Sequence, residues 1–175
     1  MSVRVATLDD AEGIAGLVNR AYRPEPGAQG WTHESGLVTG ARIQVGALQR
    51  SLQETAVLLA FSGDELIGCV QVEGKQGKEK EAHVGMLAIA PAWQTGGFGK
   101  RLLAAAEAYG AGVLGVQVFV LIVIASRREL IEFYLRRGYR ETGESLPYPV
   151  AANVGTPLDP ATALTVLRKQ VSPDG

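Results

Sequence analysis

The chain has 175 residues, 46% of them hydrophobic, which is enough for one domain over residues 1–175 with a substantial core. Seventeen Lys and Arg against eighteen Asp and Glu leave a formal net charge of −1, so no strong field points to nucleic acid or an acidic membrane surface. Cys69 is the only cysteine, which excludes an internal disulfide. The first residues lack the apolar run of a signal peptide, and the longest apolar run, 118–125, is too short to span a bilayer, so the expectation is a soluble cytoplasmic protein.

Residues 3–6 predict a short strand. Asp9 and Glu12 have the spacing of a capping box, and Ile14, Leu17, Val18 and Ala21 follow at helical intervals, predicting a helix over 9–22. Pro24, Pro26 and Gly27 stop it. Residues 31–51 predict a broken helical segment. Thr32 is its candidate cap and Leu37, Val38 and Ala41 its apolar face, while Gly36, Gly40 and Gly46 weaken it.

Residues 55–61 and 65–73 read as the strands of a hairpin around Ser62-Gly63-Asp64, and the polar stretch 74–80 as an exposed loop. A strand over 81–90 ends at Pro91. Phe98, Leu102, Ala105, Ala106 and Tyr109 share one face of a helix that runs to about 109. The apolar run 116–124 has the pattern of a strand buried on both faces. Residues 127–137 are helical by spacing, closed by Gly138. A strand over 139–144, a proline-rich loop over 146–160 and a last strand over 163–169 complete the chain. This order predicts an α/β (α+β) fold with a mixed, mostly antiparallel central sheet flanked by helices, and not a doubly wound nucleotide fold.

The chemistry concentrates at 89–101, where a strand ends, the chain turns and a helix opens among glycines. The first amides of a helix lack carbonyl partners, carry partial positive charge and suit a phosphate. Glycine lets a ligand approach the backbone closely. A P-loop would need Ser or Thr after Gly99-Lys100, and Arg101 stands there; a dinucleotide fingerprint would need a third glycine where Leu102 stands. The pattern Gln/Arg-x-x-Gly-x-Gly/Ala is met by Gln94, Gly97 and Gly99.

That pattern resembles the coenzyme A signature of the GNAT superfamily of N-acetyltransferases. Residues 86–91 resemble the family's strand before the turn, and 132–139 its Phe-Tyr-x-x-x-Gly-Phe segment. The likeness covers roughly residues 3–143 and is best defined over 81–139. It implies acetyl-CoA as donor and a small-molecule amine as acceptor that attacks the thioester directly. The near-neutral charge disfavours a strongly basic peptide as acceptor.

On the donor side the resemblance implies contacts from Met86, Leu87, Ala88 and Ile89, which belong to a strand that splays from its neighbour and pairs with the pantetheine arm. It also implies contacts from Gln94, Thr95, Gly96, Gly97, Phe98, Gly99, Lys100 and Arg101. Ser126 stands where family members often carry Asn near the pantetheine, so that contact differs here. The amide of Leu87 or Ala88 would polarise the thioester. Tyr134 takes the place of the family's thiolate acid, although its spacing with Leu130 and Gly138 equally suits a core aromatic. Some members use an acid or histidine on the strand before the turn as base, which singles out His83 and Glu81. These would share a face with Gly85 and Leu87, or else form a solvent-facing pair at the strand end.

Lys100 and Arg101 could contact phosphates or be ordinary exposed charges. Arg127 and Arg128 at the next helix start could touch the nucleotide end or simply be solvated, cations being unfavourable there without an anion. Cys69 is expected to pack, and two histidines without metal-type spacing argue against a zinc site. Trp31, His33 and Glu34 could line an acceptor pocket or anchor a loop, with Tyr148 a lid candidate. Domains of this kind often dimerise, and the last strand and tail are where a second copy could pair. Two rival readings are a non-catalytic acyl-CoA sensor and an interaction domain in which the glycines serve close packing.

Overall fold

The computed structural model describes residues 1–24, 33–75, 77 and 80–171. Strand β1 (Ser2–Val5) leads through a 3-10 turn (Leu8–Asp10) into helix α1 (Ala11–Tyr22), which buries Ile14, Leu17, Val18 and Ala21 as their spacing predicts. The capping pair is not Asp9 and Glu12, which lie exposed, but Thr7 and Asp10. The Thr7 amide donates to Asp10 Oδ2 at 2.7 Å, and the Arg4 guanidinium grips the same carboxylate at 2.7 and 2.8 Å. The 3-10 turn moves the helix entry upstream, and the cap moves with it.

The segment after α1 departs from the expected broken helix. Leu37 lies in a turn, β2 (Val38–Thr39) is a two-residue strand, and only α2 (Val45–Glu54) is helical. The candidate cap Thr32 lies outside the described residues. Val38 and Thr39 are extended because they pair with Pro157 and Thr156, far along the chain, which local spacing cannot reveal.

The hairpin β3 (Ala56–Ser62) and β4 (Glu65–Lys75) is followed by β5 (Glu81–Ile89), α3 (Phe98–Gly112) and β6 (Val118–Ile124). Helix α4 (Arg128–Leu135), β7 (Arg140–Pro147), β8 (Thr156–Pro157) and β9 (Ala163–Gln170) complete the order. Gly138, at φ +89°, turns the chain out of α4. The main sheet runs β1-β3-β4-β5-β6-β9-β7, and every neighbour is antiparallel except the parallel pair β5–β6. Strands β2 and β8 form a separate two-stranded sheet.

Each face of the sheet carries its own core. Leu102, Leu103, Ile131 and Tyr134 cover one face against Phe119 and Leu121, while Ile14, Leu17, Val18 and Leu48 cover the other against Val57, Leu59 and Cys69. Cys69 is fully buried, with Sγ 3.6 Å from the Met86 carbonyl, and burial pushes its thiol up to about 12, so it packs as expected.

Strand β5 changes faces midway. Its register against β4 runs Cys69↔Ala88 and then Gln71↔Gly85, one extra residue on β5, and Met86 takes φ +51° within that bulge. Ala82 and Val84 therefore join the core under α3 and α4, whereas Met86 and Ala88 join the core under α1. Leu87 lies opposite to Glu81, His83 and Gly85, correcting the shared face that simple alternation predicts. Strand β6 is buried as expected except at Ile122, which is 40% exposed because it borders an open cleft.

Candidate functional site

Strands β5 and β6 pair through Glu81↔Val118, Ala82↔Phe119 and His83↔Val120, and then part. Beyond that point they form two walls of a cleft, and the β5 backbone turns to side chains for partners. The Tyr22 hydroxyl donates to the Leu87 carbonyl at 2.8 Å, and Gln94 Nε2 donates to the Ile89 carbonyl at 3.0 Å.

After Ile89 a 3-10 turn (Pro91–Gly96) leads to Gly97, whose φ of +71° swings the chain into α3. Gly97, Gly99 and Lys100 line this end of the cleft, facing Arg127, Phe133 and Arg137 from α4 and its flanks. Arg137 stacks over the Phe133 ring, 3.4 Å from its centroid, and donates to the Phe133 carbonyl. Burial, and then the charge of Arg136, lower its pKa from the usual arginine value.

The other residues expected around the turn stand outside the lining of this end. Thr95 and Gly96 are exposed, the Phe98 ring packs edge-on against Trp93 at 5.4 Å, and Arg101 stacks over Phe98 at 5.9 Å. Thr95 and Gly96 belong to the exposed 3-10 turn, whereas Phe98 and Arg101 lie in the first turn of α3. Ala88 points into the α1 core, and Met86 borders the middle of the cleft. Ser126 is exposed, and its carbonyl accepts the Arg128 amide at 3.0 Å. The anion called for by two arginines at a helix start comes from the protein. Arg127 Nε donates to Glu129 at 3.1 Å with Glu34 at 3.9 Å, and Arg128 pairs with Glu141 at 2.9 Å.

Tyr134 belongs both to the core and to the cleft. Its ring packs edge-on against Phe133 at 5.2 Å and Tyr139 at 5.8 Å, and it lines the cleft together with Tyr22 and Leu87. Burial, and then proximity to Tyr22, push its pKa well above the usual phenol value, so the group keeps its proton. His83 and Glu81 lie farther along, where β5 and β6 still pair. His83 Nε2 sits 3.0 Å from Glu81 Oε1, and Arg168 pairs with Glu81 Oε2 at 2.9 Å. The structure thus groups Leu87, Ile89, Gln94, Gly97, Gly99, Lys100 and Tyr134 at one end and places His83 at the other.

The sequence model of the Acetyltransferase (GNAT) family matches residues 17–139. The chain belongs to this family. No significant match is found among curated proteins. Among solved structures, ribosomal-protein-alanine N-acetyltransferase from Brucella melitensis is similar with TM-score 0.71 at 17% identity, over 98% of this chain and 100% of that one. A mutant of the spermidine N-acetyltransferase SpeG from Vibrio cholerae gives TM-score 0.68 at 16% identity, over 97% and 95% of the two chains. An acetyltransferase of the GNAT family from Streptococcus pneumoniae gives 0.69 at 16%, over 98% and 99%. At such identities the likeness establishes a common fold. No helix among the described residues is long and apolar enough to cross a membrane.

In this GNAT fold the remaining wall of the cleft comes from the two segments that resist reading by spacing. Strands β2 and β8 clasp them together, and the Leu158 amide donates to the Leu37 carbonyl at 2.8 Å. Behind the clasp the buried Glu34 pairs with Arg23 at 2.6 Å, and Arg23 also donates to the Val154 carbonyl at 3.0 Å. Tyr148 donates to that carbonyl at 3.1 Å, so it is tied within its own loop while it borders the cleft. Glu34 lines the cleft as well, His33 is exposed outside its lining, and Trp31 lies outside the described residues. Tyr22, Phe133, Arg137 and Arg42 are lining residues that sequence reasoning missed. Tyr22 closes a helix and Arg42 lies in the irregular stretch before α2, and neither position carries a motif.

Proposed function

We propose that this GNAT chain transfers an acetyl group from acetyl-CoA to the amine of a small molecule by direct attack on the thioester. The observation that carries this reading is the parting of β5 from β6 after His83 and Val120, with the glycine-opened start of α3 at its mouth. The residues present fit coenzyme A. The freed edge of β5 offers backbone partners to an amide-bearing arm, the amides at Gly97–Gly99 suit a pyrophosphate, and Lys100 and Arg137 add positive charge. When bound, acetyl-CoA supplies a carbonyl activated toward attack.

The chain's own groups then divide the remaining work. Ala88 pairs with Cys69 and turns its amide toward that sulfur, whereas Leu87 turns its backbone to the cleft, so we assign carbonyl polarisation to the Leu87 amide. Tyr134 holds a proton for the departing thiolate. His83, oriented by Glu81, takes the proton that the amine loses, directly or through water. One proton leaves the amine and one reaches the thiolate, so the step balances.

Calorimetric titration with acetyl-CoA, of the parent and of Gly97→Glu, tests the donor site. Gly97 is the residue to change because φ +71° disfavours any side chain there. Binding by the parent and none by the folded variant is expected, and equal affinity would remove the turn from the site. Release of free thiol with an amine panel separates enzyme from sensor: a chain that binds acetyl-CoA and releases no thiol is not a transferase. His83→Gln should abolish the acidic limb of the pH–rate profile, and a surviving limb would reassign the base.

A further inference from the structure

The far end of the cleft is bordered by several charged groups, and their pairing is uneven. Glu34 is met by Arg23 at 2.6 Å, with Arg127 at 3.9 Å. Glu73 is met by Lys75, and Glu81 by His83 and Arg168. Each carboxylate at this end therefore has its cation. Arg42 lines the cleft where its middle and far parts meet, and among the described residues its guanidinium has no ion-pair partner. The guanidinium lies over the face of Tyr22, 5.4 Å from the ring centroid.

Arg42 is held in place. Asn19 on α1 accepts the Arg42 amide at 2.8 Å and the Ile43 amide at 3.1 Å, and donates back to the Ile43 carbonyl at 3.0 Å. The side chain is half-buried. A guanidinium that is partly desolvated without a counter-charge gains most when an anion arrives, and its planar fork matches a carboxylate. The neighbouring walls are apolar, formed by Ile122, Leu146, Val154 and Leu164. A polycation would meet an uncompensated positive charge here and find each carboxylate already engaged.

Resting on the acetyl-transfer reading above, we propose that the acceptor is a small amine bearing a carboxylate, of the amino-acid class, and that Arg42 determines this specificity by binding the carboxylate. The bond keeps the acceptor's anionic end away from the thioester and leaves its amine free to face it.

The test measures thiol release at saturating acetyl-CoA for a panel of L-amino acids, the carboxamide of each, and spermidine, with the parent, Arg42→Gln and Arg42→Lys. The parent should use at least one free amino acid with kcat/KM about ten-fold or more above that of its carboxamide. Arg42→Gln should erase that preference through a raised KM for the free acid, and Arg42→Lys should restore part of it. The proposal is overturned if a carboxamide or spermidine serves as well as any free acid, or if the preference survives in Arg42→Gln. Acetyl-CoA binding by calorimetry with no turnover of any amino acid overturns the proposal alone, whereas no acetyl-CoA binding by the folded parent overturns the acetyl-transfer reading as well.

Discussion

The Tyr22 hydroxyl donates a 2.8 Å hydrogen bond to the Leu87 carbonyl, joining the last residue of α1 to the bulge of β5. Desolvation pushes the Tyr22 pKa up to about 12, so the phenol remains a donor across the working pH range. The bond holds the carbonyl of the residue whose amide is proposed to polarise the thioester. Tyr22→Phe should cost about 1 kcal/mol of stability, lower Tm by about 2–4 °C, and reduce kcat with little change in acetyl-CoA affinity. Thermal denaturation and steady-state kinetics check this together. A lower Tm with unaltered turnover would leave the bond as packing alone.

Tyr134 is the proposed donor to the thiolate. Tyr134→Phe keeps the ring that packs against Phe133 and Tyr139 and removes only the hydroxyl. The fold should persist, and kcat should fall by about 100-fold or more while acetyl-CoA affinity stays within about two-fold. Single-turnover kinetics with an established acceptor decide it. An unchanged rate would return Tyr134 to the core.

How much of this could be read without coordinates depends on the range of the forces involved. Periodicity is local, so α1, α3, α4 and the β3–β4 hairpin stand close to their predicted bounds. The turn at Gln94, Gly97 and Gly99 is also a local pattern. The bulge in β5 depends on how Gly85 and Ala88 meet Gln71 and Cys69 on another strand, so alternation alone put Leu87 on the wrong face. The clasp of Val38 with Pro157 pairs residues far apart in the chain, as does the anchoring of Arg42 by Asn19. Thr95, Phe98 and Arg101 are expected at the donor site from the resemblance; Thr95 is exposed, and Phe98 packs against Trp93 with Arg101 over its ring. Arg128 was read as missing an anion because its partner, Glu141, lies on the next strand.

Alkaline titration should expose the enclosed phenols. Burial raises the pKa of Tyr22 to about 12 and those of Tyr134 and Tyr139 further, with Glu107 adding to the effect at Tyr139. A phenol whose folded pKa lies above its unfolded value of about 10 leaves stability intact below that pH. Above it the unfolded state ionises first, and each such group costs about 1.4 kcal/mol per pH unit until its folded pKa is reached. Cys69, likewise raised to about 12 from an unfolded value of about 8.5, begins the decline, so stability should fall gently above about pH 9 and steeply above about pH 10. Urea denaturation between pH 9 and 11 measures the slope, and tyrosinate absorbance should rise together with unfolding. Full tyrosine ionisation in a chain that is still folded would contradict the enclosure.

Gly155 closes the clasp in a conformation that admits no side chain. Its φ is +110°, and a Cβ there would stand 2.7 Å from the Thr39 carbonyl oxygen and 2.7 Å from Val38 Cγ1. The Arg23 guanidinium, which holds Glu34, would be 3.1 Å away. Neither the Thr39 backbone nor the buried Val38 can yield cheaply, so Gly155→Ala combines backbone strain with overpacking, about 2–4 kcal/mol in all. A two-stranded sheet can open on its own, so the loss should appear as local opening and not as global unfolding. Hydrogen exchange should quicken at Val38 and Leu158 and stay slow in β5 and β6. With the clasp open, the Glu34 and Tyr148 side of the cleft loses its shape, while Gly97, Gly99 and Lys100 are untouched. Acceptor KM should rise and acetyl-CoA affinity should hold. Loss of both together would mean that the clasp supports the whole cleft and not its acceptor end.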